Sequence, residues 1–213
     1  MHFLSEALEN YISSHTEDEP ELLRELTRET HLKVVQPRMI TGHFQGRLLS
    51  ILSKIIRPRF VLEIGTYTGY SALCLAEGLP GDGVLHTIDI NEELGSMQRK
   101  YFNKSGMGHK IMQHCGDALK IIPQFNHRFD LVFIDAEKTD YPHYFEAVLE
   151  KTRVGGVILT DNVLWSGKVI EPLKQNDKAT QILIEFNKML KEDQRVESVL
   201  LPVRDGLTIS LVK

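Results

Sequence analysis

From residue 60 onward, short β-branched apolar runs alternate with longer amphipathic segments. This alternation is typical of a parallel sheet with helices on both faces, because a strand needs a crossover to reach a parallel neighbour. Strands are predicted at 60–64, 84–90, 110–115, 129–135 and 155–161, with helices beginning near Tyr70, Asn91, Asp117 and Tyr141. The pattern therefore predicts an α/β fold.

The last forty residues depart from this alternation. After a loop punctuated by glycine and proline and a helix predicted over 178–191, two strand-like stretches, RVESVLLPV and GLTISLVK, are joined by Arg204-Asp205-Gly206. Such a turn favours a hairpin. We therefore predict a seven-stranded, mostly parallel sheet with an antiparallel last strand.

The first 59 residues are predicted to be helical throughout. Their leucines and isoleucine fall on two helical faces, one with Leu22, Leu23 and Leu26 and the other with Leu48, Leu49, Leu52 and Ile56. No break in composition separates this region from the rest. We interpret residues 1–59 as a helical cover on an α/β core at 60–213, within a single domain spanning 1–213.

Composition limits the classes of protein. Hydrophobic residues make up 42% of the 213 residues and charged residues 25%, which excludes disordered and coiled-coil chains, and the net charge of −4 argues against a dedicated nucleic-acid binder. Cys74 and Cys115 lie in apolar surroundings without metal-finger spacing, so both are predicted to be buried thiols. No apolar run approaches the ~18–20 residues of a membrane span, and no cationic start precedes a long apolar stretch, so we expect a cytoplasmic protein and no membrane partner.

The segment 63–71, EIGTYTGYS, directly follows the first predicted strand and leads into a helix. Ligands of such folds bind at the carboxyl ends of strands, where glycine lets the backbone approach closely. Tyr67 occupies the second glycine position of the pyrophosphate motif GxGxxG, so a nucleotide without a pyrophosphate fits better than a dinucleotide. The alternative is a glycine turn that serves only the strand-to-helix geometry.

Two further strands end in candidate cofactor contacts. Asp89 closes the second strand, where a carboxylate can accept hydrogen bonds from both ribose hydroxyls of an adenosine-type ligand. Asp117 and Ala118 follow the third strand, where a small side chain leaves room for an adenine and the carboxylate can meet its amino group. Helix capping is the alternative role for Asp89 and for Asp117.

Oxygen donors follow the fourth and fifth strands. Asp135 ends the fourth strand, and Asp161 and Asn162 end the fifth. Neighbouring parallel strands lie about 5 Å apart, so these side chains are expected to converge. Two carboxylates and an amide oxygen suit Mg²⁺, and they leave positions open for water or substrate. Capping of the next elements is the alternative; no histidine pair has the spacing of a zinc site.

Lys138 follows Asp135 by three residues, and a nearby dication would disfavour its protonated form, so we predict Asp135 and Lys138 as catalytic residues. A surface lysine is the common alternative. Tyr141 and Trp165, the only tryptophan, are predicted to contact substrate, Trp165 as a wall for a flat aromatic ring. Ordinary packing is the alternative for Trp165.

Together, these residues resemble the cation-dependent O-methyltransferases of the caffeoyl-CoA and catechol type, which are Rossmann-like class I methyltransferases. The resemblance is carried over essentially the whole chain by EIGTYTGYS, TIDIN, FIDAEK, DNVLWSG and LPVRDGL. It implies that S-adenosylmethionine is held by Met39, Thr41, Glu63, Gly65, Thr66, Ser71, Asp89, Ala118 and Asp135. Tyr67, Ile90 and Asp117 complete the predicted cofactor set. It also implies metal ligation by Asp135, Asp161 and Asn162, a base at Lys138, and a homodimer.

Two features of the chain bear on the methyl acceptor. Arg204 stands where this family commonly has a glycine, which puts a cation near the rim of the site and makes it a candidate substrate contact. Residues 21–59 carry eight Lys or Arg against three Glu. This local excess is either a solvated helix surface or a binding surface for an anionic acceptor, such as a CoA thioester or tRNA.

The leading hypothesis is methyl transfer from S-adenosylmethionine to one hydroxyl of a vicinal diphenol, a small aromatic diol that chelates Mg²⁺, or another divalent cation such as Mn²⁺ or Ca²⁺. Methylation of a hydroxyuridine in tRNA is the alternative within the family. An NAD-dependent dehydrogenase shares the sheet and Asp89 but needs the glycine that Tyr67 replaces. A non-catalytic binding module has no need for Asp161, Asn162 and Lys138.

Overall fold

The computed structural model describes residues 5–213, and its centre is a seven-stranded sheet. The strands are β1 Phe60–Ile64, β2 Val84–Asp89, β3 Ile111–Cys115, β4 Phe129–Ile134, β5 Thr152–Asp161, β6 Val196–Leu201 and β7 Leu207–Val212. They lie in the order β3-β2-β1-β4-β5-β7-β6. Strands β1 to β5 pair in parallel, and β7 is antiparallel to both β5 and β6. The predicted fold class is confirmed.

Residues 5–213 form eight α-helices around the sheet. They are α1 Glu6–Ser14, α2 Glu21–Lys33, α3 His43–Ile56, α4 Tyr70–Ala76, α5 Gly95–Lys104, α6 Ala118–Ile121, α7 Tyr141–Lys151 and α8 Lys178–Glu192. The helix expected near Asn91 begins at Gly95, because the Asn91 side chain caps a short 3₁₀ turn by accepting from the Glu93 N–H. The helix expected near Asp117 has only four residues, since Pro123 follows in a 3₁₀ turn.

The N-terminal cover is not helical throughout. Residues 17–20 and 34–36 are irregular, and each segment runs into a proline, Pro20 or Pro37, whose missing N–H and fixed φ interrupt a continuous helix. Gly42, at φ 78°, then turns the chain into α3. Leu23, Leu26 and Leu49 of the cover are buried in the hydrophobic core on one face of the sheet. The cover therefore packs as part of the core.

The two faces of the sheet bury different aromatic sets. Tyr70, Tyr101 and Phe102 belong to the core on the face covered by α2, α3, α4 and α5, whereas Phe145 and Phe186 belong to the core under α7 and α8. No helix in the described range 5–213 is both long and apolar enough to cross a membrane.

The prediction of two buried thiols is half wrong. Cys74 is buried in α4, but Cys115 is exposed. Cys115 ends β3, and β3 is an edge strand with a neighbour on one side only, so its apolar sequence surroundings do not become a closed environment.

Candidate active site

A cavity of about 1260 Å³ opens at the carboxyl ends of the five parallel strands β1 to β5. Its remaining wall comes from the cover, over residues 33–41, and from Arg204 and Asp205 in the turn before β7. Of the predicted site residues, the lining contains Met39, Thr41, Gly65, Tyr67, Asp89, Ile90, Asp117, Ala118, Asp135, Lys138, Asp161, Asn162, Trp165 and Arg204. The topology thus gathers most of the predicted residues into one cavity.

The loop after β1 depends on a glycine. Gly65 has φ 98°, and a Cβ there would stand 1.9 Å from the backbone oxygen of Asp135. Its N–H donates to Ile88 O at 2.9 Å, while the Asp135 N–H donates to Ile64 O at 2.9 Å. These contacts hold the loop against the ends of both neighbouring strands, and only glycine fits between them.

Asp89 holds the same loop from β2. Its Oδ2 accepts from the Tyr67 N–H at 2.7 Å and its Oδ1 accepts from the Asn91 N–H at 2.8 Å. The Tyr67 hydroxyl donates to Gln36 O at 2.7 Å, which ties the loop to the cover. A carboxylate has about four acceptor positions, so Asp89 can still accept from a ligand.

The third strand contributes a cap and a small residue. Asp117 caps α6, with Oδ1 accepting from the Leu119 N–H at 3.0 Å. Capping, the alternative considered from the sequence, is therefore one role of Asp117, although it also lines the cavity. Ala118 beside it leaves space at the cavity wall.

Three predicted cofactor residues, Glu63, Thr66 and Ser71, lie beneath the loop and not in the lining. The Thr87 hydroxyl donates to Glu63 Oε2 at 2.5 Å and lies 2.5 Å from the Thr66 hydroxyl. Burial raises the pKa of Glu63 to about 8, against the opposing effect of hydrogen bonds from Ser71 and Thr87. In this structure the three residues support the loop from below.

Asp161 is the most constrained of the candidate metal ligands. It is 3% exposed, its Oδ2 accepts from Gln45 Nε2 at 2.6 Å, and its Oδ1 accepts from the Asn162 N–H at 2.8 Å. Burial and the charge of Asp135 raise the pKa of Asp161 to about 7. Asn162 follows at φ 57°, a left-handed conformation that asparagine tolerates better than most residues.

The donor set fits a hard cation. Within residues 5–213 no group of three or more His, Cys, Asp or Glu side chains is arranged to hold a metal, so the candidate centre consists of two carboxylates and one amide. Asp135 and Asp161 repel each other at a buried edge, and a dication would relieve that repulsion. Oxygen donors of this kind suit Mg²⁺.

Lys138 is almost fully buried beside these carboxylates, at 8% exposure. Its Nζ donates to Asp135 Oδ1 at 3.2 Å and to Ala136 O at 2.9 Å, and it lies 5.0 Å from the Tyr141 ring centre and 6.0 Å from that of Trp165. This environment excludes the alternative that Lys138 is a solvated surface lysine.

Tyr141 does not occupy the predicted position for a substrate contact. Its side chain is 0% exposed and absent from the cavity lining, and its hydroxyl donates to Asp161 O at 2.9 Å. The tyrosine ring packs edge-on against Phe186, with centroids 5.6 Å apart, in the core under α7 and α8. The tyrosine therefore anchors the end of β5.

Gln45, which connects three segments, was not predicted from the sequence. This residue is buried in α3, donates to Asp161 Oδ2, and accepts from Arg204 Nη1 at 3.5 Å. It sits among apolar residues of an amphipathic helix, 116 positions before Asp161, without a motif around it. Only the tertiary fold brings it to the site.

Residues 12–213 match the model of a family described as O-methyltransferase. The chain is 38% identical to a caffeoyl-CoA O-methyltransferase of Petroselinum crispum, over 96% of this chain and 90% of the relative. This chain belongs to the O-methyltransferase family. The resemblance found in its sequence motifs is confirmed.

Solved structures of O-methyltransferases have the same fold. A Bacillus cereus O-methyltransferase, in complex with SAH, superposes with a TM-score of 0.89 at 30% identity, covering 97% of each chain. The O-methyltransferase TomG of Streptomyces achromogenes, involved in tomaymycin synthesis and solved in complex with SAM, superposes with a TM-score of 0.87 at 34% identity, covering 97% of this chain and 96% of TomG.

Proposed function

We propose that this O-methyltransferase transfers the methyl group of S-adenosylmethionine to one hydroxyl of a vicinal diphenol, with a divalent cation held by Asp135, Asp161 and Asn162. The observation that carries the proposal is a single cavity that joins the glycine loop and Asp89 to a buried carboxylate pair with Lys138. The cofactor part is supported by the SAM and SAH complexes of the related structures.

S-adenosylmethionine supplies an electrophilic methyl group on a positively charged sulfur. Asp89 accepts from the ribose hydroxyls with the acceptor positions that the Tyr67 and Asn91 N–H groups leave open. Gly65 lets the backbone pass close to the ligand, and Ala118 leaves room for a flat base. These residues bind and orient one reactant, which lowers the barrier because the methyl and the attacking oxygen are held in line.

Asp135, Asp161 and Asn162 would hold a divalent cation, which would supply Lewis-acid stabilisation of a phenolate and a template for two adjacent oxygens. Lys138 Nζ, the proposed base, takes the proton of the attacking hydroxyl. The C–S bond breaks as the new O–C bond forms, leaving a neutral thioether. Trp165 borders the same side of the cavity and excludes water from one face of the ring.

The charge pattern of the cover favours a small acceptor over tRNA. Most of the basic residues that give residues 21–59 their positive balance are paired with carboxylates, namely Arg24 with Glu21, Lys33 with Glu29, Arg47 and Lys54 with Glu77, and Arg59 with Asp82. A surface that binds phosphates needs cations free to displace counterions. Only Glu77 and Asp82 lie outside residues 21–59, so the local excess of positive charge is offset in part, but five of its eight cations are held by a carboxylate within the protein.

Replacing Asp161 tests the metal-assisted mechanism. Asp161→Ala removes one candidate ligand, so we expect methylation of catechols to be lost while S-adenosylhomocysteine affinity by calorimetry stays within several-fold. Asp82→Ala, which removes an exposed carboxylate paired with Arg59, is the matched control and should keep full activity. Full activity of Asp161→Ala, or of the wild type in excess EDTA, contradicts the mechanism.

An acceptor panel tests the substrate class. The purified protein is assayed with labelled methyl donor against catechols and against total tRNA from a methylation-deficient strain. We expect transfer to catechols that varies little with added NaCl. Faster transfer to tRNA, falling steeply with salt because each neutralised phosphate releases counterions, would replace the diphenol by tRNA.

A further inference from the structure

Arg204 is a cavity residue that neither the cofactor nor the metal chemistry uses. It stands in the turn between β6 and β7 at φ 48°, a left-handed conformation that arginine adopts only at an energetic cost. From there its Nη1 reaches Ile40 O at 3.4 Å and Gln45 Oε1 at 3.5 Å. The side chain therefore crosses from the core to the cover at the edge of the cavity.

The cations of the cavity differ in their partners. Lys33 is paired with Glu29 at 2.9 Å, and Lys138 with Asp135 at 3.2 Å, whereas Arg38 on the cover forms no ion pair among residues 5–213. Arg204 has no carboxylate within ion-pair distance in residues 5–213, and the neighbouring Asp205 instead accepts from the Ser166 N–H. Within that range its described hydrogen bonds use Nη1 alone, so the edge formed by Nε and Nη2 keeps its donors for a ligand.

The position of this edge limits the ligand. Gln45 contacts both Arg204 Nη1 and Asp161 Oδ2, so one side chain separates the guanidinium from the candidate metal ligand. Any anionic group that reaches Arg204 from a diol at Asp161 must therefore be close to the aromatic ring. The phosphates of a CoA thioester lie a whole pantetheine arm from the ring, whereas a carboxylate on the ring or on a short tail lies within this distance.

We propose that Arg204 binds a carboxylate of the acceptor, and that the preferred acceptors are aromatic acids carrying a vicinal diol. The planar fork of arginine matches a carboxylate with two parallel hydrogen bonds. This inference rests on the proposed function for the diol itself and adds the acidic group. Asp89, Asp117 and Glu137 make other parts of the cavity unfavourable for an anion. Arg204, unlike Arg38 on the cover, is linked to Asp161 through a single side chain, Gln45.

The test compares each acid with its own ester. The wild type, Arg204→Gly and Arg57→Gly are assayed with 3,4-dihydroxybenzoate, caffeic acid, the methyl ester of each, and catechol. Arg57 is the matched control, because it is an exposed arginine at φ 51° at the end of α3 and lies outside the cavity. Glycine suits both backbone positions, so each variant should fold.

Hydrogen bonds to a charged group predict a difference of about tenfold or more between acid and ester in wild-type kcat/KM. We expect Arg204→Gly to remove that preference, so that acid and ester have equal kcat/KM, and Arg57→Gly to preserve it. Equal rates for acid and ester in the wild type, or a preference that persists in Arg204→Gly, overturn the inference.

Calorimetry separates this inference from the proposed function. The wild type and Arg204→Gly are titrated with 3,4-dihydroxybenzoate in the presence of S-adenosylhomocysteine and Mg²⁺. Acid binding that weakens about tenfold in Arg204→Gly supports the carboxylate contact, even if no diol is methylated. Absence of methyl transfer to every diol overturns the proposed function alone, and acid binding that is unchanged in Arg204→Gly overturns the carboxylate contact.

Discussion

The two halves of the cavity differ in the groups whose hydrogen bonds hold them in place. In the cofactor half, formed by the loops after β1, β2 and β3, backbone N–H groups hold the loops: Gly65 N–H donates to Ile88 O, and the N–H groups of Tyr67 and Asn91 donate to the Asp89 carboxylate. In the acceptor half, formed by the ends of β4 and β5 and the turn before β7, side chains connect distant segments, such as Gln45 with Asp161.

The acceptor half also contains more backbone strain. Asn162, Trp165, Ser166 and Arg204 all have left-handed φ angles between 47° and 57°, without being glycine. Such residues persist only where their surroundings hold them, and they concentrate at functional sites. The contrast implies that side-chain changes in the acceptor half can change which substrate is accepted while the cofactor half still binds the same cofactor.

Gly65→Ala should give the largest effect, because it attacks the backbone contacts of the cofactor half. The added Cβ meets Asp135 O, and the φ angle of 98° is strained for alanine. We therefore expect the free energy of unfolding to fall by roughly 2–4 kcal/mol and cofactor binding to be lost. Urea unfolding and calorimetry with S-adenosylhomocysteine measure both.

Gly106→Ala is the matched control for that change. Gly106 also has a positive φ, 74°, but nothing lies within 4 Å of an added Cβ. Alanine there should lose about 1–2 kcal/mol from backbone conformation alone and keep cofactor affinity. Equal losses in the two variants would show that conformation, and not the contact with β4, makes glycine necessary at 65.

Asp89→Ala is expected to have the next largest effect, confined to the cofactor half. It removes a charged acceptor and the anchor of the Tyr67 N–H, so the dissociation constant of S-adenosylhomocysteine should rise about tenfold or more. Glu92→Ala removes an exposed negative charge three residues away that does not line the cavity, and should leave the constant unchanged. Similar constants for both variants and the wild type would reduce Asp89 to a structural role.

The same contrast explains what the sequence could predict. Local sequence patterns predict the sheet, its antiparallel last strand and the residues at the strand ends. In a parallel sheet, the position of a residue along its strand decides whether it lies at the carboxyl ends, where the cavity opens. Gln45 and the burial of Tyr141 depend on packing between segments far apart in sequence, as does the exposure of Cys115 on an edge strand. No local pattern encodes those contacts.

Gln45→Met tests the side-chain network of the acceptor half. Methionine keeps the length of the side chain but cannot donate to Asp161 Oδ2, so the carboxylate loses a partner that fixes its direction. We expect the Mg²⁺ concentration for half-maximal methylation to rise several-fold, with S-adenosylhomocysteine affinity unchanged. An unchanged Mg²⁺ dependence would mean that Asn162 N–H and the end of β5 orient Asp161 without help from the cover.

The smallest effect is expected from three histidines that do not line the cavity: His86 on β2, His114 on β3 and His127 in the loop before β4. His86 Nδ1 lies 3.0 Å from His114 Nε2, and the His86 ring stacks on His127 with centroids 5.2 Å apart. Burial, followed by the charges of His114 and His127, lowers the pKa of His86 to about 4. Burial also lowers the pKa of His114 and of His127.

Between pH 6.5 and about 4, His86 is protonated in the unfolded chain but neutral in the folded chain. The contribution of His86 to the free energy of unfolding is therefore complete above pH 6.5 and is lost as the pH falls. Glu63 acts in the opposite direction, since burial raises its pKa to about 8, and only a difference between variants isolates His86. We expect His86→Phe to lose less stability than the wild type between pH 7 and pH 5 in urea unfolding. Because backbone contacts fix the cofactor half, S-adenosylhomocysteine affinity should stay the same in both proteins at both pH values. A change in that affinity would show that side chains on β2 and β3 also shape the cofactor half, and would weaken the contrast between the two halves.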